Sequence, residues 1–300
     1  MDLLDEFRTL IARHVGGGGY RKRQVLDGVS IAYVDEPTPP IGAISEPSLW
    51  VVGQGVKRTV LNGAAYDLRA GQYLVASIDL PVTGQAVEAS VQAPLVSFSL
   101  RLEQAAIAPL LLETAVGMAE KTAAARTPAF SGLAVSDTTP ELLDPIVRLL
   151  RLVDSPDDLR VLAAGFRREI LWRLVTGDQG AFVRQIGLAD SSITHIARAI
   201  RWIRAHYDEP LRIADLAALA RMSASTFHRH FRAATTMTPI QFQKQIRLQE
   251  ARNLLMTRTL TVAEVGYRVG YQSPSQFITE YRNAFGTPPG RDAVRLSGPS

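Results

Sequence analysis

The feature that most constrains this 300-residue chain is a ten-residue pattern that occurs twice, fifty positions apart. Ser223-Ala-Ser225-Thr-Phe227-His-Arg-His-Phe231-Arg232 returns as Ser273-Pro-Ser275-Gln-Phe277-Ile-Thr-Glu-Tyr281-Arg282. A duplicated pattern means a duplicated supersecondary unit, so both copies must fold alike. At about 100° per residue, Phe227 and Phe231 share one wedge of a helix with Ala224 and Ala234. Ser225, His228, Arg229 and Arg232 lie on the opposite face, and His230 falls at the edge of the wedge. The two histidines are about 200° apart, too far round the helix to grip one metal ion together.

What precedes each copy is also repeated. RIADLAALARM is a short helix with one apolar face, then a tight turn, and Ser223 is a good N-cap for the next helix. TVAEVGYRVGYQ does the same before the second copy, with one more residue in the turn. Helix, tight turn, second helix is the helix-turn-helix arrangement, in which the second helix enters the DNA major groove. Between the copies, PIQFQKQIRLQEARNLLMT predicts one helix of about 18 residues, about 27 Å long. Such a rod suits two reading helices about 34 Å apart, in successive major grooves.

Charge agrees with a polyanion partner for this end of the chain. From Ser191 onward there are 15 Lys and Arg against 7 Asp and Glu; residues 1 to 190 carry 18 against 22. The chain has no cysteine, which excludes disulfides, thiol nucleophiles and Cys-ligated zinc or iron–sulfur clusters. It has no apolar run long enough to span a bilayer, and its first fifteen residues read as an amphipathic helix rather than a signal peptide. A cytoplasmic protein is expected.

The front half reads as β-structure. RTVLNGAAYDL sets Asn62-Gly63 between two apolar runs, the signature of a tight hairpin. QVLDGVSIAYV, SLWVVGQG, RAGQYLVASIDLP and PLVSFSLRL are further strands, which predicts a small barrel or sandwich. EQAAIAPLLLETAV is helical but interrupted by Pro109, and AEKTAAARTPAFSG is a loop. TPELLDPIVRLLRLV and PDDLRVLAAGFRREILWRLV are two amphipathic helices, and the stretch from Thr139 to Val175 is the first place to look for a dimer seam. Gly16 to Gly19 lacks a phosphate-loop lysine and reads as a flexible joint.

These segments carry a family resemblance. IADLAALARMSASTFHRHF, TPIQFQKQIRLQEARNLL, VAEVGYRVGYQSPSQF and YRNAFGTPPG resemble the DNA-binding domain of AraC-type transcription regulators. EPSLWVVGQGVKRTVLNGAAYDLRAGQYLVASIDLPVTGQAVEAS resembles the cupin-like N-terminal domain found in one branch of them. The resemblance implies an α+β chain of two domains. Residues 1–190 would be a cupin-like β-barrel with following helices, for effector binding and dimerisation. Residues 191–300 would be an all-α DNA-binding domain of two helix-turn-helix units joined by a linker helix.

Carried over position by position, the resemblance puts base reading on Ser225, His228 and Arg229, and on Ser275, Ile278 and Thr279. Arg232 and Arg282 are phosphate contacts. Family members often have an arginine where Thr279 stands, so the first unit is expected to supply most of the discrimination. Trp50, Arg58 and Tyr73 are candidates for an effector pocket. The implied partners are promoter DNA, a small-molecule effector, RNA polymerase if the chain activates, and a second copy of itself. No cofactor or metal is expected: residues 15 to 190 hold no histidine, whereas enzymatic cupins use a histidine cluster. A metal-dependent cupin enzyme and a non-specific DNA-coating protein are the competing readings.

Overall fold

The structure, a computed structural model, describes residues 2–114 and 132–296. The chain divides into two compact units, Met1–Ile41 with Ser45–Thr194, and His195–Ser300 with Gly42–Ile44. The first is rich in β-structure and the second is helical, which is the α+β class expected.

The first unit begins with α1 (Leu3–Val15), followed in chain order by strands β1 (Arg21–Leu26), β2 (Val29–Val34), β3 (Ile41–Ser45, of which Gly42–Ile44 group with the second unit), β4 (Ser48–Gln54) and β5 (Val56–Leu61). Then come β6 (Ala64–Arg69), β7 (Gln72–Ala76), β8 (Leu80–Glu88), β9 (Leu95–Arg101), α2 (Gln104–Thr114) and β10 (Leu133–Asp137). Helices α3 (Pro140–Arg151), α4 (Pro156–Thr176) and α5 (Gly180–Gly187) close the unit. Among the described residues the strands form a six-stranded sheet, β1-β2-β9-β4-β7-β10, and a four-stranded sheet, β3-β8-β5-β6.

The β5–β6 hairpin turns at Asn62 and Gly63, with φ of 48° and 81°. Both central residues are left-handed, as a tight two-residue hairpin requires. Alternation along the six-stranded sheet sorts its two faces. Ile31, Leu49, Val51, Tyr73, Val75, Val96, Phe98 and Leu100 share one buried cluster with residues of α1, α3 and α4. The intervening residues Ser30, Trp50, Ser97 and Ser99 look the other way. Lys57 of β5 reaches them from the second sheet, with its Nζ 3.0 Å from the centre of the Trp50 ring. The two sheets therefore face each other, as in the cupin-like barrel expected.

Several expectations need correction. Pro109 does not end its helix: α2 continues through it to Thr114. A proline at this depth costs one backbone bond to the carbonyl four residues earlier. At the end of the glycine run the Gly19 N–H donates to Asp35 Oδ1 at 2.8 Å. Strands β3, β8 and β10 and helices α5 and α12 were not separately predicted. The loop expected over 119–132 lies, except for Gly132, outside the described residues.

The second unit contains α6 (Ser192–Ala205), α7 (Ile213–Leu219), α8 (Ala224–Thr235), α9 (Pro239–Thr257), α10 (Val262–Arg268), α11 (Pro274–Phe285) and α12 (Pro289–Leu296). Helix α6 starts in the first unit. Two helix-turn-helix pairs, α7–α8 and α10–α11, are joined by the 19-residue α9. Among the described residues, no helix is long and apolar enough to cross a membrane.

Candidate nucleic-acid interface

Each pair is built by the same local chemistry. In the first, the Met222 N–H donates to Ala217 O at 2.9 Å across a turn in which Arg221 has φ of 53°. In the second, the Tyr271 N–H donates to Gly266 O at 3.0 Å across a turn in which Gly270 has φ of 91°. Both turns close a helix C-terminus through a left-handed residue, which satisfies carbonyls the helix leaves open. At Gly270 a side chain has no room, since a Cβ there would lie 2.3 Å from Asp208 O. The second turn is one residue longer, as its sequence indicates.

The second helix of each pair is then fixed by its aromatic wedge. Phe227, Phe231, Phe277 and Tyr281 are fully buried. Phe227 and Phe231 sit 5.4 Å apart, and Phe231 meets Phe242 of α9 edge-on at 5.4 Å. Phe277 and Tyr281 sit 5.6 Å apart, in a cluster with Leu248, Ala251 and Leu255 of α9. Because 3.6 residues make a turn, burying that wedge forces the opposite side chains outward. Ser225, His228, Arg229 and Arg232 on α8 are exposed, and so are Ser275, Ile278, Thr279 and Arg282 on α11. Ile278 keeps 39% of its surface in solvent. His230 is half-buried at the edge of the wedge, and desolvation, then the neighbouring Arg229 charge, pushes its pKa below the usual histidine range.

Caps distinguish the two reading helices. The Ser223 hydroxyl accepts from the Thr226 N–H at 3.3 Å, whereas Ser273 makes no side-chain cap and is followed by Pro274 in the first turn. The supporting helices carry capping boxes, Thr238 with Gln241 at α9 and Thr261 with Glu264 at α10. The Thr261 backbone N–H, and then the Thr261 hydroxyl, donate to the Glu264 carboxyl and hold it below its usual pKa range, as expected of an acid at a helix N-terminus.

Two groups that hold this frame together were not singled out from sequence. Arg247 of α9 donates to Tyr207 O at 2.6 Å, Glu209 O at 3.0 Å and Gly270 O at 2.9 Å. It ties the linker helix to the turn of the second pair. Asp292 of α12 is fully buried and accepts from Arg252 Nε, Tyr281 Oη and an Arg295 terminal nitrogen, each at 2.9 Å. Beside that carboxylate the Tyr281 hydroxyl is pushed well above its ordinary pKa, chiefly by burial. An Asp in the short, polar α12 carries no periodic signal. A charged residue spaced to meet a helix aromatic would have been the only hint.

The three effector-pocket candidates do not converge. Trp50 lies on the inner face of its sheet, with Nε1 donating to Ser48 Oγ at 2.9 Å. Arg58 points the other way, outside the second sheet, in a two-pronged pair with Asp67 at 2.6 and 2.7 Å. Tyr73 is buried in the cluster between sheet and helices.

Residues 25–182 match a family model described as AraC-type transcriptional regulator N-terminus, and residues 216–293 match a helix-turn-helix domain model. Among curated proteins, the HTH-type transcriptional regulator YdeC of Bacillus subtilis (strain 168) is 25% identical over 151 residues, 49% of this chain and 50% of its own. The HTH-type transcriptional activator RhaS of Klebsiella pneumoniae (strain 342) is 27% identical over 168 residues, 53% of this chain and 58% of its own. The chain thus spans about half the length of the curated relatives it matches. Among solved structures, unsaturated fatty acid-bound ToxT from Vibrio cholerae strain SCE256 superposes with a TM-score of 0.54 at 12% identity, covering 91% of this chain and 96% of that one. At that identity the likeness is one of fold.

Proposed function

Starting from a chain that belongs to the AraC-type transcriptional regulators, we propose a sequence-specific regulator of transcription that reads two successive major grooves of promoter DNA. The observation that carries this reading is the pair of aromatic-backed helices, α8 and α11, held on one rigid α9 and each presenting a polar, partly cationic face to solvent.

The roles follow from donor chemistry. Arg229 is placed to pair two-pronged with a guanine, and His228 and Ser225 add shorter-range contacts. Ile278 offers a methyl-sized apolar contact for thymine, and Ser275 and Thr279 supply single hydroxyls. Arg232 and Arg282, at the far ends of their helices, pair with phosphates. The α11 face has one cation to the two of α8, so the first pair carries most of the discrimination.

Residues 1–190 are proposed as an effector-sensing and dimerising domain, and residues 191–300 as the DNA-binding domain. ToxT, of the same fold, holds a fatty acid, so this fold admits a small molecule. Homodimerisation through α4 is supported by Val161 and Leu162, both exposed apolar residues on one helix. Such a protein works where the chromosome is, in the cytoplasm, and engages RNA polymerase if it activates. A catalytic cupin has no support in the relatives, which are regulators and activators of transcription.

The test is selection of bound sequences from a random DNA pool by the full chain. The reading expects enriched sites with two short elements one helical turn apart. Enrichment of no sequence, with binding governed only by salt, would identify a non-specific coat protein.

A further inference from the structure

The inner wall of the six-stranded sheet in the first unit is packed less evenly than its helix side. On the helix side of the six-stranded sheet, Val29, Ile31, Leu49, Val51 and Phe98 are at or near zero exposure. On the inner side, Ser30, Ala32, Trp50 and Ser99 keep part of their surface open, although a second sheet stands opposite. Register fixes these residues on one face: Trp50 pairs with Ser99, Ser99 with Ser30, and Ala32 with Lys22. Across from them, Lys57, Thr59 and Gly84 share the facing side of the other sheet. A Cβ added to Gly84 would meet nothing within 4 Å. The space between the sheets is therefore closed where Val52, Leu74 and Ser97 of the same face are buried, and open as a cavity mouth where Ser30, Ala32, Trp50 and Ser99 keep contact with solvent.

Lys57 is the charged group in that cavity. Its ammonium lies on the Trp50 ring, and among the described residues no carboxylate pairs with it. Its flanking neighbours on β6 and β8 are Leu68 and Ala86, both buried and apolar. Tyr66 lies beside Thr59 on the same face. The nearby acids are committed elsewhere, Asp67 to Arg58 on the outer side and Glu88 to Arg69 at 3.8 Å. The charge that does act on Lys57 is repulsive: Lys22, exposed on β1. Burial first, and Lys22 second, lower the Lys57 pKa to about 7. A lysine that keeps only a minor part of its surface in solvent, and whose ammonium is desolvated, sits at the bottom of such a cavity. It costs stability unless an anion arrives.

We propose that this cavity binds a small, oxygen-rich organic carboxylate, with its anion on Lys57 and Lys22 and its body along Trp50 and the hydroxyls of Ser30, Ser99 and Thr59. The hydroxyls of that open end favour a short hydrogen-bonding body over a long acyl chain, because the apolar part of the same face, Val52 and Leu74, is already buried. This deepens the effector-sensing reading above and rests on it for its biological meaning, while the binding event itself is separate. Binding takes up a proton when Lys57 starts neutral, because the carboxylate favours the charged form. Affinity therefore falls as pH rises past 7.

The test is calorimetric titration of the full chain with gluconate, lactate and benzoate, each against its neutral amide, at pH 6.5 and pH 9. The expected result is that at least one of the two hydroxy acids binds, with its amide weaker by about tenfold or more. The same acid should lose about tenfold or more between the two pH values. Lys57→Met should abolish the difference between acid and amide, and Lys57→Arg should retain it without the pH dependence. Equal binding of acid and amide, binding unchanged in Lys57→Met, binding of benzoate alone, or no binding at millimolar concentration would each overturn the proposal. The pH comparison uses the unaltered chain, so it stands even if a variant misfolds. Carboxylate binding that leaves DNA affinity unchanged removes effector sensing and keeps this site. A DNA response to a ligand that ignores Lys57 does the reverse.

Discussion

Arg229 is an exposed guanidinium on the helix face opposite the buried Phe227–Phe231 wedge, so its direction is set by the core rather than by its own contacts. Arg229→Ala is expected to cost about 1–3 kcal/mol on the selected site and much less on random DNA, measured by competition binding. Equal loss on both would make it a phosphate contact. Lys57 gives the opposite kind of prediction. Its folded pKa lies below the ordinary lysine value, so the unfolded chain binds more protons between pH 7 and about 10.5. Wild-type stability therefore rises with pH across that window, and the penalty is complete below pH 7. Lys57→Met should raise the melting temperature, most at or below pH 7 and little above pH 10.5. An unchanged or lowered melting point at pH 7 would show that the ammonium is not under strain. A lysine within VKRTVL reads as an outward residue on a half-buried strand. Only the facing Trp50, contributed by another strand, reverses that reading, and sequence alternation cannot show which side a second sheet covers.

At the scale of elements, the two reading helices should respond differently to the same change. Ser223→Ala removes a cap bond and is expected to cost about 1 kcal/mol, whereas Ser273→Ala removes none and should cost only a few tenths. Denaturant unfolding of the full chain measures both, and equal losses would contradict the difference in capping. Asp292→Ala strips the carboxylate from Arg252 and Tyr281, so the second pair should lose about 3–5 kcal/mol. Hydrogen exchange would show α10–α12 opening first. Uniform protection would assign that network no structural role. Helices α8 and α11 were legible because each carries the same aromatic wedge, and the turns because each precedes the repeated Ser-x-Ser-x-aromatic pattern at a near-fixed offset. The first unit was less legible. The hairpin at Asn62-Gly63 was plain, but β10 is a five-residue edge strand that depends on pairing with β7, 57 or more residues earlier in the chain. Pro81 near the start of β8 argues against a strand locally, and partners on both sides override it. In the second unit, α12 is only eight residues long and was not read as a separate helix.

For the whole molecule, the charge division and the duplicated motif point the same way: a β-rich unit is followed by a cationic helical unit suited to a polyanion. The cationic share predicts a steep salt dependence, which Arg282→Ala should flatten by about one phosphate contact while leaving sequence preference intact. The central claim is that α8 and α11 read one duplex together, and it is tested most directly by a hydroxyl-radical footprint of the full chain on its selected site. The account predicts two protected patches on one face of the DNA, about 10 base pairs apart, with Arg229→Ala erasing one of them and sparing the other. A single patch, or uniform protection that shifts with every sequence offered, would contradict it.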